Sequence, residues 1–194
     1  MFGLNAVLTQ PFINDEYTKK SENDYFWRIG LVTNDYLSKG HINPSADHPF
    51  QSWTKATYFY LNHVPQWQQL NQGVWFKIEN FVRNESKTKD LVIFTGGHEI
   101  YSFRGQNLYI VDKNRRVEVP KFIWKLVITP RTSIAFVIMN TKSDSQRDPR
   151  MCSDRDLECL SFKGFDDYIN KEDAGFLSCC NEESLYKMIG YRLM

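Results

Sequence analysis

Four polar residues, His41, Asn62, Asn71 and Glu79, are of the types that hydrolysis of a phosphate ester requires. An imidazole can take a proton from water near neutral pH, because its ordinary pKa is about 6.5. An amide oxygen and a carboxylate are hard oxygen donors of the kind that hold a hydrated Mg²⁺ ion. A base beside such a cation is the combination that cleavage of a phosphodiester bond requires.

Each of these residues also has an ordinary structural interpretation. Asn62 can turn the chain before Pro65, His41 can belong to a turn, and Asn71 and Glu79 can be polar helix residues. On a straight helix, Asn71 and Glu79 lie about 80° apart around the axis and about 12 Å apart along it. They would face one side of the helix, but they could share an ion only through its water molecules.

The positions of these residues depend on the elements that carry them. Apolar residues recur at three- and four-residue steps and predict an amphipathic helix over roughly 67–85. Gly73 costs that helix up to about 1 kcal/mol relative to alanine, so we expect packing or function to require it. Aromatic and β-branched runs predict strands at 25–33 and 56–61. The Pro-Ser-Ala-Asp stretch at 44–47 suggests a loop, which places His41 beside a turn.

The rest of the chain alternates between apolar runs and turn residues. Strands are predicted at 90–97, 107–111, 117–120, 122–128 and 133–139, followed by a loop-like region at 142–182 and a short helix at 182–191. Strands before and after one long helix, without regular alternation, indicate an α+β fold with a central antiparallel sheet.

Length and composition exclude several classes of protein. The chain has 194 residues and is 42% hydrophobic, which predicts a single domain over 1–194. A net charge of +1 excludes a histone-like polycation or an acidic tail as the basis of function. Since no apolar run approaches the ~18 residues of a membrane crossing, we expect a soluble protein with no membrane partner. No motif indicates an oligomeric state.

Positive charge gathers in the middle third of the chain. Residues 104–131 hold seven basic side chains against two acidic ones. Such a segment can be an ordinary solvated strand pair, or it can attract a polyanion. The basic residues are Arg104, Lys113, Arg115, Arg116, Lys121, Lys125 and Arg131.

All four cysteines, Cys152, Cys159, Cys179 and Cys180, lie near the carboxyl end. Their spacing fits no usual zinc site, so two disulfides are the favoured interpretation and the carboxy-terminal region is expected to be tied by cysteines. A glycosylation sequon at Asn84 agrees with an oxidising compartment and hence with secretion. The amino terminus lacks the features of a signal peptide, so we expect an amino-terminal portion to be absent from this chain.

Three ordered stretches resemble the DNA/RNA non-specific endonuclease family, whose members carry a ββα-metal site. They are Lys39-Gly40-His41-Ile42-Asn43-Pro44, the Asn-x-x-Pro-Gln motif of residues 62–66, and Leu70 to Glu79. The likeness continues through Phe94-Thr95-Gly96 and Val119 to Lys125, and it covers about residues 30–140. The Gln66-Trp67-Gln68 sequence and the cysteine-rich tail resemble those of secreted nucleases of arthropod gut and saliva.

The resemblance implies an endonuclease that uses Mg²⁺, with Mn²⁺ as a substitute, and cleaves DNA and RNA to 5′-phosphate ends. It also implies the site residues: His41 as general base, Asn71 as metal ligand, Glu79 as holder of the metal's water shell, and Asn62 and Lys39 as further members of the catalytic site. The basic segment would then bind the phosphate backbone without reading bases.

One departure from the family pattern opens an alternative. The family motif Asp-Arg-Gly-His is replaced here by Ser38-Lys39-Gly40-His41. Lysine keeps the positive charge but loses the planar, two-point contact of arginine with phosphate. The chain could therefore be a secreted nucleic-acid-binding protein with weak or lost catalysis, or a protein that does neither. It also begins late relative to the family domain.

Overall fold

A computed structural model of the chain describes residues 37–103, 105–110, 117–141, 146–152 and 176–193. They fall into two compact units. Of the described residues, those up to Gln68 and those within Ile100–Val119 form the first unit, and those within Gln69–Glu99 and from Pro120 onward form the second. The prediction of a single domain stays a prediction, and the predicted strand over 25–33 lies outside the described residues.

The first unit is built on two antiparallel strands, β1 (Leu37–His41) and β2 (His63–Trp67). The connection between them contains a short 3₁₀ turn (Ser45–Asp47), helix α1 (Gln51–Ala56) and a second 3₁₀ turn (Tyr60–Asn62). Two further short strands, β4 (Ser102–Phe103) and β5 (Gln106–Asn107), form a hairpin. An isolated bridge joins Tyr109 to Glu118, where longer strands were predicted.

The predicted strand over 56–61 is wrong. Residues 57–62 form a turn and a 3₁₀ turn, and the strand is the following segment, His63–Trp67. Pro65 lies inside this strand, and its missing N–H is tolerated because β2 pairs with β1 alone among the described strands. The loop predicted at the Pro-Ser-Ala-Asp stretch, residues 44–47, agrees with the 3₁₀ turn Ser45–Asp47, and His41 is the last residue of β1 before a bend.

The predicted helix over 67–85 is confirmed as a helical segment. It consists of α2 (Gln68–Leu70), a π-helical turn π1 (Asn71–Trp75) and α3 (Phe76–Glu85). Gly73 breaks the regular helix, with φ −92° and ψ −106°, and a Cβ atom there would meet nothing within 4 Å. Crowding is therefore not the reason for this glycine. The straight helix assumed for the spacing of Asn71 and Glu79 is interrupted by this break, which lies between the two residues.

The second unit contains a four-stranded sheet in the order β3-β6-β7-β8. Its strands are Val92–Ile100, Pro120–Ile128, Ser133–Met139 and Leu177–Cys180. The β6-β7 and β7-β8 pairs are antiparallel, which confirms the α+β class. The loop-like interpretation of 142–182 missed β8, whereas the predicted last helix is confirmed as α4 (Glu182–Ile189).

Helices cover both faces of strands β6 and β7. On one face, Trp124 and Val137 belong to the same buried apolar cluster as Leu185 of α4. On the other face, the ring of Phe81 from α3 lies 5.8 Å from the ring of Phe136. A strand that is buried on both faces has apolar residues at consecutive positions, and the sequences of β6 and β7 show this pattern.

A disulfide joins Cys152 to Cys180, the last residue of β8, and confirms the disulfide interpretation for this pair. Cys179 is disulfide-bonded as well, and Cys159 lies outside the described residues. No helix in the described part of the chain is long and apolar enough to span a membrane.

Candidate active site

The pairing of β1 with β2 determines which side chains surround His41. Side chains of a strand alternate between its two faces, so Lys39 and His41 share one face and Ser38 and Gly40 share the other. His41 lies directly opposite His63 in the register of the two strands. Directly opposed residues of an antiparallel pair are close enough for their side chains to interact.

Gly40 is required by packing between two separate motifs. A Cβ atom on Gly40 would lie 2.3 Å from Oε1 and 2.9 Å from Cβ of Gln66. Gln66 is fully buried, so its side chain has little room to move away. The glycine beside the histidine and the glutamine of the Asn-x-x-Pro-Gln motif therefore occur together because one packs over the other.

His41 is half-buried at the end of β1. Its ring centroid lies 5.1 Å from that of Tyr58 and 4.4 Å from that of His63, both in edge-to-face arrangements. Burial lowers the pKa of His41 below 6.5, and the nearby ammonium of Lys39 lowers it further. The imidazole is therefore neutral at neutral pH, as a general base has to be.

The structure places His63 against His41. Its Nε2 atom lies 3.3 Å from Nε2 of His41, and its side chain is buried. Burial, with smaller effects of His41 and Lys39, lowers the pKa of His63 to about 4. The sequence held no signal for this contact, because the contact depends on the strand register.

Asn62 braces the two ends of the β1–β2 connection. Its Nδ2 donates to the carbonyl oxygens of Asn43 at 2.8 Å and Thr57 at 2.9 Å, and its Oδ1 accepts from the Asn43 N–H at 2.9 Å. Both of its N–H donors are therefore used by the backbone. Asn62 acts here as a brace for the chain that follows His41, and its predicted place in the catalytic site stays a prediction.

The remaining residues of the Ser-Lys-Gly-His motif are also placed by β1. Ser38 donates from Oγ to the backbone oxygen of Gln66 at 3.0 Å, so it supports the strand pair. Lys39 is half-buried, and its Nζ lies 5.9 Å from the centroid of the Tyr60 ring. Lys39 thus supplies a positive charge on the face that carries His41.

The predicted metal residues belong to the second unit. Asn71 is the first residue of π1 and Glu79 lies in the first turn of α3, and both side chains are half-buried. A π-helical turn is rare and is frequent at functional sites. His41 and Asn62 belong to the first unit. The meeting of these four residues around one phosphate stays a prediction.

The predicted nucleic-acid-binding residues are not equivalent in the structure. Arg131 is exposed in the turn after β6. Lys121 is bound to Asp148 at 2.5 Å, and Asp148 also binds Arg150 at 2.7 Å. These two cations hold the pKa of the Asp148 carboxyl far below its usual range. The other residues, Arg104, Lys113, Arg115 and Arg116, lie outside the described residues.

Lys125 is buried, with 2% of its surface exposed, so it is not available at the surface in this structure. Its Nζ donates to Thr95 Oγ1 at 2.8 Å and lies 5.2 Å from the centroid of the Trp75 ring. The reason is that β6 is covered on both faces. The role of the basic segment in binding nucleic acid stays a prediction.

Close packing also explains the Thr95-Gly96-Gly97 stretch. A Cβ atom on Gly96 would lie 2.6 Å from the Trp124 ring, and one on Gly97 would lie 2.8 Å from Pro120. The glycines therefore let β3 approach β6.

Asn84, the glycosylation candidate, is exposed near the end of α3, and glycosylation stays a prediction.

The model of the DNA/RNA non-specific endonuclease family matches residues 8–184. A salivary endonuclease of Lutzomyia longipalpis is 30% identical over 161 residues, which are 79% of this chain and 39% of that protein. A salivary endonuclease of Culex quinquefasciatus is 29% identical over 178 residues, 86% of this chain and 46% of that protein. The chain thus spans less than half the length of these two relatives.

A solved structure shares the fold. In the crystal structure of the EndoG/EndoGI complex, one chain matches with a TM-score of 0.52 and 19% identity, over 79% of this chain and 57% of that one. The family match covers most of the sequence and includes β1, β2 and the helical segment that follows them. The chain therefore belongs to the DNA/RNA non-specific endonuclease family.

Proposed function

We propose that this chain forms the catalytic part of a Mg²⁺-dependent endonuclease that hydrolyses phosphodiester bonds of DNA and RNA and leaves 5′-phosphate ends. The observation that carries the proposal is the state of His41, a half-buried imidazole whose pKa is lowered by burial and by Lys39. Family membership supports the same reaction.

His41 is the general base of this proposal. Its neutral ring takes a proton from a water molecule, whose oxygen attacks the phosphorus, and the bond to the 3′-oxygen breaks. Lys39, on the same face as His41, supplies a positive charge for the phosphate oxygens. A single lysine gives a less directional contact than the arginine of the family motif, so we expect weaker binding of the scissile phosphate.

The donor chemistry of π1 and α3 fits a magnesium ion. Asn71 offers an amide oxygen and Glu79 a carboxylate, and Mg²⁺ favours such hard oxygen ligands while it keeps several of its waters. Asn71 would hold the ion directly and Glu79 would hold its water shell. When bound, the cation neutralises charge on the phosphate and on the leaving oxygen.

We also propose secretion and a substrate bound through its backbone. The relatives with salivary names, the sequon at Asn84 and the Cys152–Cys180 disulfide support an extracellular protein, whereas a human relative with 31% identity over 117 residues is a mitochondrial nuclease. Contacts to phosphate rather than to bases would explain cleavage of both DNA and RNA. Mn²⁺ is expected to replace Mg²⁺ in such a site.

A nuclease assay of the intact protein with Mg²⁺ tests the proposal. His41→Ala should lower the cleavage rate by about 10² to 10⁴, the usual contribution of a general base. His48→Ala removes a histidine of the same unit outside the proposed site and should leave the rate unchanged. Equal rates for the unaltered protein and His41→Ala would remove His41 from the mechanism.

A binding measurement separates cleavage from binding alone. A gel shift in EDTA, at several salt concentrations, reports phosphate contacts without catalysis. Binding without any cleavage in Mg²⁺ would favour the alternative of a nucleic-acid-binding protein. In the cleavage assay, the acidic limb of the pH profile should lie below pH 6.5, because the pKa of His41 is lowered.

A further inference from the structure

The contact between His41 and His63 has a chemical consequence for a general base. The two Nε2 atoms are 3.3 Å apart, and the planes of the rings are inclined by 71°. A neutral imidazole carries one N–H and one lone pair, so a hydrogen bond at this distance needs opposite roles at the two Nε2 atoms. Whichever ring donates from Nε2 keeps a lone pair on its own Nδ1.

The direction of this hydrogen bond decides whether His41 can act as a base. If His41 donates from Nε2, its Nδ1 lone pair remains available for the proton of a water molecule. If His63 donates instead, the Nε2 lone pair of His41 is occupied and its Nδ1 carries the proton. The partner of a catalytic histidine commonly controls this choice of tautomer.

The surroundings of His63 favour the first direction. Its Nδ1 is buried, and a hydrogen bond with the backbone of Phe59 raises the pKa of the ring, which is the effect of a carbonyl that accepts from a ring N–H. Because Nε2 of His63 lies against His41, we assign this N–H to Nδ1. A carbonyl can only accept, so it favours a proton on Nδ1 of His63. The Nε2 of His63 then presents a lone pair to His41.

We propose that His63 is a positioning residue that accepts a hydrogen bond from Nε2–H of His41 and thereby keeps Nδ1 of His41 free as the base. This role rests on the proposed function of His41. His63 does not touch the substrate in this scheme, and it acts only through His41. The strand register supports the role, because it sets the two residues directly opposite each other.

The charges around the pair keep His63 in the accepting state. Lys39 faces the pair from β1, and Tyr58 and Tyr60 approach it from the turn before β2. The pKa of His63 is lowered to about 4, so its ring is neutral at neutral pH. A protonated His41 can therefore still donate to His63.

Two substitutions of His63 separate positioning from packing. His63→Leu fills the buried position with an apolar side chain and removes the acceptor. We expect the cleavage rate constant kcat to fall by about tenfold to a hundredfold, with KM little changed, because orientation of the base is lost and substrate contacts are not. His63→Gln can place a carbonyl oxygen near the position of Nε2 and should recover most of the rate. His48→Leu serves as the matched control.

The pH profile gives a readout that a purely structural role would not move. Because the acceptor stabilises protonated His41 more than neutral His41, His63→Leu should shift the acidic limb of kcat/KM to lower pH. His63→Gln should restore the position of the limb. A lower rate with an unmoved limb, or a His63→Gln variant as slow as His63→Leu in spite of equal thermal stability, would overturn the proposal.

Nitrogen NMR of the imidazole rings tests the geometry independently of activity. The unaltered protein should show His41 as the Nε2–H tautomer, and His63→Leu should show a mixture of tautomers. An Nδ1–H tautomer of His41 in the unaltered protein would contradict the positioning role. If instead the Nε2–H tautomer is found and His41→Ala cleaves normally, the proposed function fails while the hydrogen bond stands.

Discussion

The β1–β2 pair of the first unit and the sheet of the second unit differ in whether their buried polar atoms have hydrogen-bond partners. In the β1–β2 pair, Nε2 and Oε1 of the Gln66 side chain are both buried without a hydrogen bond. In the sheet, the buried Lys125 donates to Thr95, and the buried Asn140 donates to the Pro120 carbonyl. The buried indole N–H groups of Trp75 and Trp124 are exceptions in the second unit.

An unpaired buried polar group costs about 1 to 3 kcal/mol, so a protein keeps such groups where another requirement outweighs the cost. The strands beside His41 carry this cost, whereas the sheet is stabilised by apolar packing and a disulfide. We infer that the sheet of the second unit mainly provides stability, whereas the β1–β2 pair carries residues of the proposed chemistry. Substitutions in the sheet should therefore mainly lower the free energy of unfolding, and substitutions in the β1–β2 pair should mainly lower the cleavage rate.

The largest expected effect is on the second unit. Replacing Cys152 and Cys180 with serine opens a cross-link over a sequence separation of 28 residues. Such a loop contributes about 3 to 4 kcal/mol by constraining the unfolded chain. Urea unfolding should show this loss, while the cleavage rate well below the melting temperature stays close to normal. A large loss of activity in a still-folded variant would contradict the division.

The pH dependence of the free energy of unfolding should show the protonation of His63. The pKa of His63 is about 4 in the folded protein and 6.5 when unperturbed, so the unfolded chain binds its proton first as the pH falls. The stability from neutral His63 is therefore complete above pH 6.5 and is lost between pH 6.5 and 4, by up to about 3 kcal/mol. His63→Leu should show a flatter decline in its free energy of unfolding, and parallel curves would disprove this.

Matched glycine substitutions compare the two regions directly. Gly40→Ala would place a Cβ atom 2.3 Å from Gln66, and Gly96→Ala would place one 2.6 Å from Trp124. Overpacking of this kind costs about 1 to 3 kcal/mol. We expect Gly40→Ala to lower the cleavage rate more than Gly96→Ala, although both lower the melting temperature. Equal losses of activity relative to stability would remove the distinction.

The smallest expected effect is at Asn62. Asn62→Ala removes three hydrogen bonds that join the ends of the β1–β2 connection. Because the side chain is only half-buried, we expect a loss of about 1 kcal/mol. Hydrogen exchange should become faster at the amide of Asn43, and the cleavage rate should fall. An unchanged exchange rate at Asn43 would show that the brace is unimportant in solution.

Local sequence patterns predicted the elements that have a strong apolar period or a continuous apolar run. The helical segment after residue 67 and the apolar strands β6 and β7 were predicted because their apolar periodicity is strong. Strand β2 was missed because Pro65 discourages a strand, and β8 because it is only four residues long. Propensity gives no information on an edge strand whose partner lies far away in the sequence.

The sequence by itself determined the family motifs and the class of fold, because these depend on residue types and short-range spacing. It also indicated disulfides, but which cysteines pair was left to the tertiary structure. Only the tertiary structure decided that His63 meets His41, that Gly40 packs over Gln66, and that Lys125 is buried while Lys121 is bound to Asp148. These facts follow from strand register and from the covering of both sheet faces. Both arise from contacts between residues that are distant in the chain.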